Sequence, residues 1–280
     1  VLVLLPPSEG KTAPTSGAPL DLSSLSLGGL TDARAEVLAS LADVSARPDA
    51  LELLKAPAGA ADEVAAQQDI HGLPTARADE IFTGVLFDRA GLASMSDEAK
   101  ARAEAEILVM SAAFGALSLS DRIPAYRLGA SASLPGLPTI GAYWRPHLSR
   151  ELDARVDGEL VVDCRSGGYR SMWKVPPTAE LVSVSAVTVR DGKRSVVSHD
   201  AKYFRGLLVG HLMRRPAPSP TSGASLVEAA HELVGSVRYA AVPGRGGKPR
   251  TTWTLTGVTM EPAPRPGAAK ELTLVLTQEP

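Results

Sequence analysis

The chain carries a single cysteine, Cys164, in 280 residues. One cysteine excludes an intramolecular disulfide, and a chain of this length buries enough core to fold without one. It suits a reducing compartment, so a cytoplasmic location is expected. Aromatic residues make up only 4%, which counts against an extended surface on which the bases of a single strand stack. No apolar run approaches the roughly 18 residues of a membrane span, so no membrane partner is expected. The first apolar run ends after five residues with no basic stretch before it, which argues against a secretory signal.

Familiar catalytic signatures are missing as well. His231-Glu232-Leu233-Val234 is followed by Gly235, where a zincin needs histidine. There is no Cys-x-x-Cys and no Gly-x-Ser-x-Gly elbow. The five histidines are scattered, so no tightly held metal is expected; His199, Asp200 and His211 are the first ligands to consider if one is found. Gly10-Lys11-Thr12 looks like the end of a P-loop, but Leu5 stands where that motif needs its first glycine. Ala13-Pro14-Thr15-Ser16-Gly17-Ala18-Pro19 then reads as a loop, so the helix amides that cradle phosphate are absent. No cofactor is expected.

What is present begins at the first residue. Val1-Leu2-Val3-Leu4-Leu5 reads as a fully buried strand, stopped by Pro6-Pro7. Ser8, Glu9, Lys11 and Thr12 follow at its carboxyl end, where α/β sheets tend to place ligands. The competing reading is a polar surface turn with a local Glu9–Lys11 ion pair.

The net charge of −2 hides an asymmetry. Residues 1–120 hold 8 basic and 17 acidic side chains, whereas 121–250 hold 19 and 11. Such segregation suits an electropositive surface facing an anionic partner, or else arginines paired with the acidic half.

Helices are expected near 32–43, 48–56, 59–68, 96–106, 202–213 and 226–234. A short helix or strand is expected over 80–88. Strands are expected at 107–110, 160–164, 181–189, 195–198, 237–242 and 251–259, with Asp191-Gly192 as a hairpin turn. Residues 243–250 read as a basic loop, and 261–280 as a Pro-rich tail with a possible strand at 272–276. The mixed pattern favours α+β, one domain over 1–260 around a mixed sheet flanked by helices.

Further polar residues fall at strand or loop ends: Ser111, Tyr126, Arg127, Asp163, Arg165, Ser166 and Tyr169. Lys202 and Arg205 are spaced to share a helix face. Arg165-Ser166-Gly167-Gly168 combines a guanidinium, a hydroxyl and flexible amides, a set that suits an anion. Cys164 reads as a small core hydrophobe rather than a nucleophile.

Six blocks resemble one known family in order. They are Leu5-Pro6-Pro7-Ser8-Glu9-Gly10-Lys11-Thr12, Ile81-Phe82-Thr83-Gly84-Val85-Leu86 and the run from Leu108 to Leu117. Asp121-Arg122-Ile123-Pro124-Ala125-Tyr126-Arg127-Leu128, Tyr143-Trp144 and Ala201-Lys202-Tyr203-Phe204-Arg205-Gly206 complete the set. They resemble the YaaA (DUF328, UPF0246) peroxide stress proteins. The resemblance implies an α+β fold of its own kind, a positively charged cleft, a helix-hairpin-helix-like element near 50–66, and a role in limiting peroxide damage. Glu52, Asp62 and Glu63 make that element acidic here.

Three functions are compatible with these residues. The first is non-specific DNA binding in the cleft through Ser8, Lys11, Thr12, Ser111, Tyr126, Arg127, Arg165, Ser166, Tyr169, Lys202 and Arg205. The second is an enzyme on a nucleotide, nucleobase or related small anion, with Glu9 or Asp163 as general base or nucleophile and Lys11, Arg127 and Arg165 as clamps. The third is a non-catalytic interaction protein. The Lys11 and Arg165 turns are expected to share one sheet edge if their strands run parallel.

Overall fold

A computed structural model describes residues 1–190, 193–196, 201–240 and 252–278. The hairpin turn expected at Asp191-Gly192, the pair His199 and Asp200, and the basic loop expected over 243–250 lie outside the described residues.

The strands are β1 Leu2–Leu5, β2 Ala76–Arg77, β3 Ile107–Ser111, β4 Gly115–Leu117, β5 Arg122–Ile123 and β6 Leu160–Asp163. They continue with β7 Glu180–Arg190, β8 Lys193–Val196, β9 Arg238–Ala240, β10 Thr252–Glu261 and β11 Lys270–Gln278. The helices are α1 Thr31–Ser45, α2 Ala50–Leu53, α3 Ala61–Ala66, α4 Ala78–Ile81 and α5 Val85–Ala90. They continue with α6 Asp97–Glu106, α7 Ile140–Leu152, α8 Gly167–Arg170, α9 Ala201–Arg214 and α10 Gly223–His231.

One sheet of nine strands organises the molecule, in the order β4-β3-β1-β6-β7-β11-β10-β9, with β8 paired to β7. β3, β1, β6, β7 and β11 run parallel to their neighbours in that series. β4, β8, β10 and β9 pair antiparallel. The expected α+β fold around a mixed sheet is the one observed.

β1, β3 and β6 are buried along their whole length. That is the reason their sequences are apolar up to the terminal Ser111 of β3 and Asp163 of β6, since a parallel strand covered on both faces has no polar side to show. β7 buries Val182, Val184 and Ala186 in alternation, and β11 buries Leu272, Leu274 and Leu276. Period-2 burial marks strands with one face in the core. Residues 270–278, inside the segment expected as a Pro-rich tail, therefore form a strand between β7 and β10.

The helix expected over 59–68 is shorter and follows a 3-10 turn. The one expected over 48–56 is reduced to α2. Between α2 and α3 the chain turns through Lys55, whose φ is 52°. The helix expected over 226–234 starts earlier, at Gly223, behind a Ser222 capping box with Ser225. α9 packs on α5, α6 and β7. Gly206 makes the α5 contact possible, because a Cβ there would sit 2.2 Å from the Leu86 carbonyl oxygen. The glycine closing the Ala-Lys-x-x-Arg-Gly block thus has a packing reason. No described helix is long and apolar enough to cross a membrane.

The connections place a switch at β1. β3 lies on one side of it and β6 on the other. The chain leaves β1 in one direction and later returns on the opposite side, which opens a crevice outside the carboxyl ends of these strands.

Candidate functional site

Three parallel strands end together at this edge. Register pairs Leu5 with Val109 and Leu4 with Asp163. Ser111, the Ser8–Thr12 turn and the Asp163–Arg165 segment therefore emerge side by side, as expected for parallel strands.

The first turn is stapled to the 81–86 block. Ser8 Oγ donates to the Gly10 carbonyl at 2.5 Å and accepts from the Thr83 amide at 3.1 Å. Lys11 bridges Phe82, and the Thr12 amide donates to the Ile81 carbonyl at 2.9 Å. Gly84 follows with φ 93° and ψ 177°, a conformation that favours glycine.

These constraints turn Lys11 inward. Its Nζ donates to the Ser8 carbonyl at 2.9 Å and lies 4.3 Å from the centre of the Tyr126 ring and 5.7 Å from that of Phe82. The Glu9–Lys11 ion pair of the competing reading is not formed: among the described residues no salt bridge reaches Lys11, and Glu9 is exposed. Burial, then the nearby Arg127 charge, pulls the Lys11 amine down to about 7, while Glu63 and Glu9 act in the opposite direction.

Tyr126 is buried and shares a 2.6 Å hydrogen bond with Ser111 Oγ, which also accepts from the Phe114 amide at 3.0 Å. Burial pushes the phenol above its ordinary range, with Tyr169 adding to the effect. Arg127 ties three segments together. Its backbone amide donates to the Gln67 side chain, its Nε and Nη2 pair with Glu63, and Nη1 donates to the Glu9 carbonyl at 3.0 Å.

The second turn is built differently. Asp163 takes Arg165 in a two-pronged pair at 2.9 and 3.0 Å and accepts the Arg165 amide at 2.9 Å. Arg165 Nη1 donates to the Trp173 carbonyl at 2.9 Å, and both partners are buried. Arg170 adds a 3.3 Å contact to Asp163. The Arg165 guanidinium is thus committed within the protein. Ser166, Gly167 and Gly168 are exposed. Tyr169 is half-buried; burial raises its phenol to about 12, opposed by a hydrogen bond to Ala130, and the Glu9 charge adds to the rise. Tyr169 therefore lies within electrostatic reach of both Tyr126 and Glu9, joining the two turns.

Cys164 is fully buried, and burial pushes its thiol up to about 12, as suits a core residue. Arg205 donates from Nε to the Val184 carbonyl at 2.9 Å, and Lys202 is exposed on the first turn of α9. His211 meets the Ala229 carbonyl and Glu232 rather than a group of metal ligands. No cluster of three potential metal ligands occurs among the described residues.

A cavity of about 140 Å³ opens beside Lys11 and Tyr126. Pro14, Glu63, Leu73 and Pro74 contribute to its wall. Glu63, one of the residues that make the 50–66 segment acidic, is the counter-charge of Arg127, and only the fold brings the two together from 64 residues apart. Gln67 and Thr83 carry no side-chain motif for these contacts, because the donors are backbone amides, that of Arg127 to the Gln67 side chain and that of Thr83 to Ser8 Oγ.

Comparison with known proteins places these features in a family. The family model described as "Peroxide stress protein YaaA" matches residues 1–226. The chain belongs to the YaaA peroxide stress protein family. It is 42% identical over 260 residues to a UPF0246 protein of Streptomyces coelicolor, covering 91% of this chain and 97% of that one. It is 38% identical over 233 residues to a UPF0246 protein of Corynebacterium efficiens, covering 80% and 89%. A third UPF0246 protein, from Corynebacterium glutamicum, is 37% identical over 213 residues, covering 74% and 83%. The matched region contains the whole strand-end site, from Ser8 to Arg205, and supports a general association with oxidative stress.

Proposed function

We propose that this protein serves the peroxide response by binding a small anionic molecule of the nucleotide or nucleobase class in the Lys11 cavity, and that it acts on that molecule chemically. The observation that carries this reading is Lys11 itself. A half-buried amine in the wall of a cavity, bonded to a carbonyl rather than to a carboxylate, retains donors for a ligand. Arg127, paired with the wall residue Glu63 and next in sequence to Tyr126, supplies a second cation that Glu63 offsets in part. The cavity of about 140 Å³ is smaller than the roughly 300–1,000 Å³ of pockets for drug-sized ligands. It suits one ring or one phosphate with the remainder of the ligand outside. Glu9, exposed and two residues from Lys11, is the freer of the two expected bases, because Asp163 is occupied by two guanidinium groups.

A calorimetric titration with nucleoside mono- and diphosphates and free nucleobases tests this. Binding that is lost in Lys11→Met supports the proposal; no binding, or binding unchanged in that variant, overturns it.

Non-specific DNA binding is a second reading, favoured by the exposed Ser166–Gly168 turn with Arg170 and Lys202 in the basic half of the chain. Its signature is affinity that falls steeply as salt rises, since phosphate contacts release counterions. Affinity insensitive to salt rejects it.

A further inference from the structure

A half-buried lysine without a carboxylate partner stands in the wall of this cavity. We infer that Lys11 is an imine-forming residue, whose Nζ condenses with the carbonyl carbon of a small aldehyde or ketone that carries an anionic group. This deepens the proposed site and rests on its being a ligand cavity.

The geometry supports it in three ways. Lys11 forms part of the cavity wall, so a carbonyl compound inside has direct access to the side chain. One N–H is anchored on the Ser8 carbonyl at 2.9 Å, which limits the positions the nitrogen takes. The groups closest to the nitrogen, that carbonyl and the Tyr126 and Phe82 rings at 4.3 and 5.7 Å, include no carboxylate that would hold it fully charged. The charged groups acting on it are Arg127, Glu63 and Glu9, and the first opposes the other two. A lysine so placed is neutral in a useful fraction near pH 7, and only the neutral amine is a nucleophile.

The step balances without an outside oxidant or reductant. The nitrogen lone pair forms the C–N bond as the carbonyl π pair moves to oxygen. A proton passes from nitrogen to that oxygen, giving the carbinolamine. Taking one further proton, the hydroxyl departs as water and leaves a protonated imine. That cation faces the Tyr126 ring and the Glu63 carboxylate on the cavity wall, both of which favour positive charge. Arg127, paired with the wall residue Glu63, adds positive charge that suits the anionic end of the ligand. Water reverses the sequence and frees the amine.

The test is reductive trapping. The full chain is incubated at pH 7 with sodium cyanoborohydride and one of three probes: pyruvate, ribose 5-phosphate or propanal. Modified lysines are located by peptide mass spectrometry. Hydride adds to the imine carbon and leaves a permanent secondary amine. Expected is at least tenfold preference for Lys11 over each of the seven other lysines of the chain, with the anionic probes ahead of propanal. The rate should reach half its maximum near pH 7. Lys11→Arg, which keeps the charge and removes the nucleophile, should abolish trapping while the fold is retained by circular dichroism. Labelling of Lys11 no faster than of Lys55 or Lys100, or labelling only above pH 9, overturns the inference. Nucleotide binding that Lys11→Met abolishes, without any trapping, overturns the imine and leaves the cavity reading standing. Trapping without nucleotide binding supports the imine and removes nucleotides as the ligand.

Discussion

Two neighbouring parallel strands end in the same short pattern, acid–x–base, and use it in opposite ways. After β1 it is Glu9-Gly10-Lys11; at the end of β6 it is Asp163-Cys164-Arg165. In the second the pair closes, because Cys164 stays extended and buried beside Leu4 and the side chains two apart fall on one side. The planar guanidinium then matches the carboxylate prong for prong. In the first the chain bends at Gly10, Glu9 points to solvent, and Lys11 is drawn under Tyr126 by its bridge to Phe82. One cation has become part of the scaffold, and the other remains open to chemistry. An acid two residues from a base does not by itself predict an ion pair; the backbone between them decides.

The comparison breaks most visibly at Asp163. Asp163→Ala leaves Arg165 buried and unpaired and should cost about 3–5 kcal/mol of stability, the usual penalty for orphaning a buried charge. Urea denaturation measures it, and a loss below about 1 kcal/mol would show that the pair is not structural.

Lys11 should behave in the opposite sense. Its amine falls from 10.5 to about 7 on folding, so between those values the unfolded chain binds more protons. Stability from this group therefore rises with pH across that window and is flat below it. Cys164 opposes it above its ordinary value of 9.0, because its thiol is raised in the folded state and stability from that group then falls with pH. The clean interval is pH 7 to 9. There the parent should gain stability as pH rises, whereas Lys11→Met should be flat and at least as stable as the parent at pH 7. Denaturation midpoints across the interval decide it; equal slopes refute the account of Lys11.

The smallest effect is expected at the rim. Glu63→Gln removes a half-exposed partner of Arg127, worth about 0–1 kcal/mol. It also removes a charge that raises the Lys11 pKa, so the trapping rate of Lys11 should reach half its maximum at lower pH. An unchanged half-maximum would place Glu63 outside the electrostatic field of Lys11, and a shift to higher pH would contradict the sign of its effect.

Much of the scaffold was legible in local pattern. The apolar runs that became β1, β3 and β6 announce strands buried on both faces, and Ser96 announces the start of α6, where it accepts the Ala99 amide. α7 was not legible. Gly141 and Pro146 argue against a helix by propensity, yet Tyr143 and Trp144 are buried on it and Trp144 Nε1 donates to the Ala112 carbonyl at 2.8 Å. Tertiary burial of two aromatic rings outweighs two poor helix formers. Gly141 also serves the packing, since a Cβ there would meet Ser171 Oγ at 2.3 Å.

By itself the sequence determined the strand interiors, the polar residues at their ends, the charge asymmetry and the family blocks, because each is written within a few neighbouring residues. Only the tertiary structure decided strand order, the partnership of Arg127 with Glu63, the occupation of Arg165 by Asp163 and the lowered pKa of Lys11. The reason is the same in each case. A side chain's electrostatic state depends on what is packed against it, and those groups arrive from segments tens of residues away.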